Sequence, residues 1–136
     1  MEILLDASAI MAVIVDEPES EIVIYHTKDA IIVSPNMVSF EIANGITKML
    51  KKKLIDTQEK MIRIIESFEK IPVRTIEVDL KKSLEIAWRY NIYAYDAFYL
   101  EAAGRLNIPL LTFDGGMRRI GKELGITVLG GYDAGI

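Results

Sequence analysis

Short apolar runs alternate along this chain with longer segments of helical periodicity, and that alternation narrows the fold more than any other feature. Ile3 to Leu5, Ala30 to Val33, Val73 to Val78, Leu110 to Thr112 and Ile126 to Leu129 are apolar or β-branched and short enough for buried strands. Between them, Ser8 caps a stretch carrying Ile10, Met11 and Ile14 that Pro18 closes, and a second helix covers Glu19 to Thr27. Ser34-Pro35 starts a helix with Pro at its first position, and Val38, Ile42, Gly45, Ile46 and Met49 repeat at helical spacing as far as Lys53. Asp56 with Glu59 reads as a capping box for the stripe Met61, Ile64, Ile65 and Phe68, which ends at Pro72. Asp79 caps the helix of Leu84, Ile86, Ala87 and Trp88, and another helix runs from Tyr95 to Leu106. Asp114-Gly115-Gly116 turns the chain into a short helix from Met117 to Leu124. The order predicts an α/β fold with a mainly parallel sheet sandwiched by helices, right-handed crossovers, and a functional edge where the strands end.

Composition sets the limits of function. A chain of 136 residues is the length of one domain, here taken as residues 1–136, and 51% hydrophobic with 26% charged residues is a globular balance. The absence of cysteine excludes disulfides, thiolate catalysis and cysteine-ligated zinc or iron-sulfur sites. The apolar N-terminal run is interrupted by Asp6, lacks a basic leader and is too short to span a bilayer, so a cytoplasmic protein with no membrane partner is expected. A net charge of -4 means that an anionic partner must be drawn by local basic patches or bound cations.

Four acids stand where such a fold gathers its chemistry. Asp6 follows the first strand and Asp114 the Leu110–Thr112 strand, so a shared sheet edge makes them neighbours. Glu41 lies beside the inward stripe of Val38 and Gly45, and Asp96 shares a helix face with Leu100 and Ala103. Each also has a purely structural reading. Asp6 can cap a helix, Glu41 can pair with a lysine, Asp96 suits the positive end of its helix, and Asp114 is an ordinary turn residue. Were the four to converge, repulsion of about 4 kcal/mol per pair at about 4 Å and an effective dielectric of ~20 would call for a positive charge among them. With His26 the single histidine, expected at the surface, the ligand set is oxygen alone, which suits Mg²⁺ or Mn²⁺.

The segments Leu4-Leu5-Asp6-Ala7-Ser8-Ala9-Ile10, Val38-Ser39-Phe40-Glu41-Ile42-Ala43, Tyr95-Asp96-Ala97-Phe98-Tyr99 and Leu110-Leu111-Thr112-Phe113-Asp114 resemble, in order and spacing, those of the PIN-domain nucleases, particularly VapC-like toxins of toxin-antitoxin pairs. The resemblance spans nearly the whole chain. It implies a three-layer α/β/α fold with a mainly parallel twisted sheet and a Mg²⁺- or Mn²⁺-dependent endoribonuclease acting on RNA. Asp6, Glu41, Asp96 and Asp114 would be its catalytic, metal-binding residues, with Ser8 and Thr112 as polar supports. It further implies a homodimer and a cognate antitoxin. Many relatives carry another acid shortly after the position of Asp114, where this chain has Gly115, Gly116 and Met117.

Substrate-holding signals are weaker. Lys48, Lys51, Lys52 and Lys53 follow Glu41, and Arg118, Arg119 and Lys122 follow Asp114, either flanking a phosphate path or forming solvated helix faces. Trp88, Tyr90, Tyr93, Tyr95, Phe98 and Tyr99 bracket Asp96, and core or dimer packing is expected ahead of base stacking. A phospho-receiver would carry an acidic pair where Asp6 stands alone, and an aspartyl-nucleophile phosphatase a second Asp where Ser8 stands. The remaining alternative is a PIN-like module that binds RNA or protein with little turnover.

Overall fold

Ile3, Leu4 and Leu5 are each 2% exposed or less, so strand β1 (Glu2–Leu5) is covered on both faces, as a parallel strand between helix layers must be. The computed structural model describes residues 1–131, and residues 132–136 of the expected domain lie outside that part. After β1 come α1 (Ala7–Ile14), α2 (Ser20–Thr27), β2 (Ile31–Pro35), α3 (Val38–Lys51), α4 (Gln58–Glu69) and β3 (Val73–Ile76). The chain continues through α5 (Leu80–Tyr90), α6 (Ala94–Leu106), β4 (Leu110–Leu111), α7 (Gly115–Glu123) and β5 (Val128–Leu129).

All strand pairs are parallel, in the order β3-β2-β1-β4-β5. Leu4 of β1 lies opposite Val33 of β2 on one side and Leu110 of β4 on the other, and all three side chains are fully buried. The chain builds outward from β1 through β2 to β3, then returns to the far side of β1 to lay down β4 and β5. That reversal puts the topological switch point between β1 and β4, where the loops leaving adjacent strands diverge and open a crevice. α1 packs on α2, α3 and α4, while α6 crosses β2, β1 and β4 and touches α5 and α7. The result is the expected three-layer α/β/α sandwich with a parallel sheet. Among the described residues no helix is long and apolar enough to cross a membrane.

Several local readings are corrected. Ser34-Pro35 does not open a helix but ends β2, where Pro35 pairs with Ile76 and the Ser34 hydroxyl donates to the Leu5 carbonyl. Pro tolerates a strand end because little of the ladder remains for it to interrupt. α3 therefore starts at Val38, and Glu41 falls in its first turn. Asp6, not Ser8, is the N-cap of α1. Thr57 rather than Asp56 caps α4, accepting from the Lys60 amide, while Asp56 forms an ion pair with Lys60 one turn on. The preference is geometric: a cap needs an extended backbone and a side chain three residues before its donor, and Thr57 has both. Gly115 and Gly116 belong to α7, capped by Asp114.

Thr57→Ala should cost about 1 kcal/mol of stability by loss of that cap. Asp56→Ala, which leaves the cap in place, should cost less in the same urea titrations.

Candidate active site at the strand ends

Four helices begin at one edge of the sheet, and each carries an acid at its start. Asp6 is the N-cap of α1 and Asp114 the N-cap of α7, while Glu41 and Asp96 lie in the first turns of α3 and α6. The unpaired amides and positive dipole ends of helix N-termini favour negative charge, so each acid has a local reason for its place. The structural reading of Asp6 as a cap is therefore correct, and it does not compete with a role at the site.

Asp6 is the fixed member. It is 3% exposed, and both of its carboxylate oxygens accept hydrogen bonds. Its Oδ1 accepts from the Ser8 hydroxyl at 2.7 Å and the Ala9 amide at 3.0 Å, and its Oδ2 from the Thr112 hydroxyl at 2.5 Å. Both hydroxyls also accept from the β4–α7 connection, Ser8 across the switch point from the Phe113 amide at 3.2 Å and Thr112 within its own turn from the Asp114 amide at 3.0 Å. Ser8 and Thr112 thus bridge β1 to the β4–α7 connection across the switch point. Asp114, exposed, turns its Oδ1 to the Met117 amide at 2.9 Å. Glu41, half-buried, pairs with no lysine; its Oε1 accepts from the Tyr99 phenol at 2.5 Å.

Electrostatics tie the four together. Burial pushes the Asp6 carboxyl up to about 6 against the three hydrogen bonds that favour its anion, and the charge of Asp114 adds to the rise. Asp96 is raised as well, first by burial and then by the charges of Asp114 and Glu41. Tyr99 holds its proton far above the ordinary phenol range, chiefly through burial and then through its bond to Glu41, with the Asp6 charge contributing. Ion pairs among the described residues lie elsewhere, at Lys60–Asp56, Arg63–Glu59, Arg74–Glu2 and Arg105–Glu101. Yet among the described residues no three His, Asp or Glu side chains are arranged to hold a metal ion. The acids feel one another's charge without forming a finished coordination cage, because Asp6 and Asp114 each turn an oxygen back to cap their own helix.

A family model described as "PIN domain" matches residues 3–123. The chain belongs to the PIN domain family. Ribonuclease VapC3 of Pyrobaculum aerophilum is 29% identical over 118 residues, which are 84% of this chain and 90% of the relative. The crystal structure of PAE2754 from Pyrobaculum aerophilum superposes with a TM-score of 0.70 at 22% identity, covering 94% of this chain and 83% of that one. VapBC2 from Rickettsia felis, bound to a DNA fragment from their promoter, gives 0.67 at 16% identity over 94% of this chain and 97% of that one.

Within this PIN domain, sequence reasoning overlooked Tyr99 as a site residue and counted it only among the aromatics. The available signal was its place three residues after Asp96, on the same helix face, with a hydroxyl that burial obliges to find a partner. Of the core and dimer packing expected for the other aromatics, the core half fails for two. Trp88 is 91% and Tyr93 86% exposed, so neither packs in the core. His26 is half-buried rather than at the surface, edge-on to Tyr25. Lys48 and Lys51 sit in the last turn of α3, roughly 10–15 Å along the axis from Glu41, where they suit the negative helix end. Arg118 donates to the Thr112 and Leu129 carbonyls, a structural use that ties α7 to the strand ends. Met117, where an acid is absent, is buried in the core.

Because the folded Asp6 carboxyl keeps its proton to higher pH than an unfolded one with the ordinary value of 3.8, the native state binds more protons between about pH 4 and about 6. Stability of chelator-treated protein should fall as pH rises through that window. The fall from Asp6 is on the order of 3 kcal/mol. Asp6→Asn should flatten that part of the slope in urea unfolding followed against pH.

Proposed function

We propose that this PIN domain is a Mg²⁺- or Mn²⁺-dependent endoribonuclease, the toxin of a toxin-antitoxin pair. One observation carries the reading: acids from four segments, Asp6, Glu41, Asp96 and Asp114, are electrostatically coupled at the switch point of a parallel sheet. The donor set is carboxylate oxygen alone, which fits a hard divalent cation, and these four residues are the proposed ligands. When bound, the ion supplies Lewis-acid stabilisation of charge on the scissile phosphate and leaving oxygen. Asp6, clamped by Ser8 and Thr112, is the rigid anchor. Exposed Asp114 and half-buried Asp96 form the side open to RNA and water. Glu41 or Asp96 orients the attacking water.

The similarity to ribonuclease VapC3 supports ribonuclease activity, and the likeness to VapBC2, seen bound to a DNA fragment from their promoter, supports a cognate antitoxin. Leu80, Leu84 and Trp88 recur every fourth residue as an exposed apolar stripe on α5, which supports a homodimer. The rival reading, a module that binds RNA or protein with little turnover, draws on the unfinished arrangement of the acids and on the core position of Met117.

Purified protein incubated with structured and unstructured RNAs should release fragments with Mg²⁺ or Mn²⁺ and none with chelator. Asp6→Asn and Asp114→Asn should each lower cleavage by more than about 100-fold, the scale of removing a charged group that acts in the transition state, while circular dichroism shows the fold intact. RNA retained without fragments, in every divalent metal tried, would establish the binding module instead.

A further inference from the structure

Tyr99 is 1% exposed, on the face of α6 that also carries Asp96, and its phenol reaches across to α3. Its hydroxyl donates to Glu41 Oε1 at 2.5 Å, linking residues 58 apart in sequence. The start of α1 is felt at the same phenol, where the Ala7 backbone amide favours the anion and the Asp6 charge opposes it. The hydroxyl therefore stands where three helices begin or pack: α1 next to Asp6, α3 at Glu41, and α6 below Asp96. Among the described residues no other protein group donates a hydrogen bond to the Glu41 carboxylate, so Oε2 remains for a ligand. A buried ring has one packed conformation, and its hydroxyl then has one direction, unlike a surface lysine or serine.

We propose that Tyr99 is the positioning residue for Glu41: its packed phenol holds one carboxylate oxygen and so aims the other into the acid cluster. The inference rests on the proposed metal-dependent reading of that cluster and names a residue outside its ligand set. Glu41 is the acid with the longest side chain and carries no capping duty, so without the phenol its carboxylate would sample rotamers that point away from the other three. Groups that orient a ligand typically contribute 10- to 100-fold in metal affinity, although they never touch the ion.

The test is Mn²⁺ binding measured by calorimetry in the absence of RNA, with thermal unfolding of each metal-free variant as the check on folding. Tyr99→Phe keeps the ring and removes the hydroxyl, and should weaken Mn²⁺ binding by about 10- to 100-fold. In a Glu41→Ala background the same change should cause no further loss, because the phenol acts only through Glu41. A second measurement uses the unaltered sequence with ¹³C-labelled tyrosine Cζ: the Tyr99 signal should move on addition of Mg²⁺, and should not in Glu41→Ala. Unchanged affinity in Tyr99→Phe, an equal loss in both backgrounds, or a Tyr99 signal indifferent to Mg²⁺ would each overturn the inference while leaving the metal site standing. A wild-type protein that binds no Mn²⁺ would bring down the metal-dependent reading itself, and this inference with it.

Discussion

Everything at the strand ends depends on one carboxylate being kept where burial makes it unwelcome. Asp6 ends the central strand, caps the first helix and is shut off from water. Three donors favour its anion, yet desolvation outweighs them and holds its proton affinity up to about 6. A cap is worth about 1 kcal/mol and tolerates exposure, so capping alone does not explain why this one is buried. The geometry makes sense as preorganisation. On the proposed reading, a buried carboxylate held by three donors is costly in the metal-free protein, and a bound cation would recover that cost.

The device that fixes Asp6 also fixes its neighbour. Each of the hydroxyls of Ser8 and Thr112 has one hydrogen to give and lone pairs to receive; both give to Asp6, and both receive amides from the Phe113–Asp114 connection. A slip of β4 against β1 would break both hydrogen bonds that cross between them, Thr112 to Asp6 and Phe113 to Ser8, so the Leu5–Leu111 register and the placement of the Asp114 loop are linked. A valine in place of Thr112 would keep the shape and lose both functions of the hydroxyl, leaving a buried carboxylate oxygen without its donor.

What the sequence made legible follows from where periodicity changes. Strand and helix alternate in hydrophobic pattern, and an acid at the end of an apolar run marks a strand end and helix start together, so Asp6 and Asp114 could be placed from one-dimensional information. Glu41 was recognisable as an inward acid, but its turn was not. Pro35 satisfies both a helix start and a strand end, and only pairing with Ile76, decided by β3 forty residues on, chooses between them. The hydroxyl of Tyr99 was invisible for a similar reason: its partner lies 58 residues away on α3, and nothing local to either segment encodes that meeting. Whether Trp88 and Tyr93 pack in the core was not legible, because aromatic character reports how much area a residue can bury, not whether the fold of one chain supplies a surface to bury it on.

Asp6 and Asp114 perform the same local task and differ in everything else, and the difference bears on how the site closes. Asp114 caps a helix whose first two residues are glycines, each of which weakens a helical position by about 1 kcal/mol relative to alanine. A Cβ on Gly116 would lie 3.3 Å from Asp114 Oδ1, while at Gly115 it would meet nothing. The glycines therefore leave the exposed carboxylate uncrowded, where bulkier residues would press on it or screen it. Met117 cannot take over as a further acid in this backbone, because its side chain fills the core beneath α7 beside Ile120. The cluster is thus asymmetric, with Asp6 buried and held by three donors at its floor and Asp114 exposed at its rim, where Oδ1 caps α7. On the proposed reading, Asp6 would supply the fixed side of a cation site and the less buried Asp96 and Asp114 its adjustable side, which fits acids that share a field without sharing a cage among the described residues.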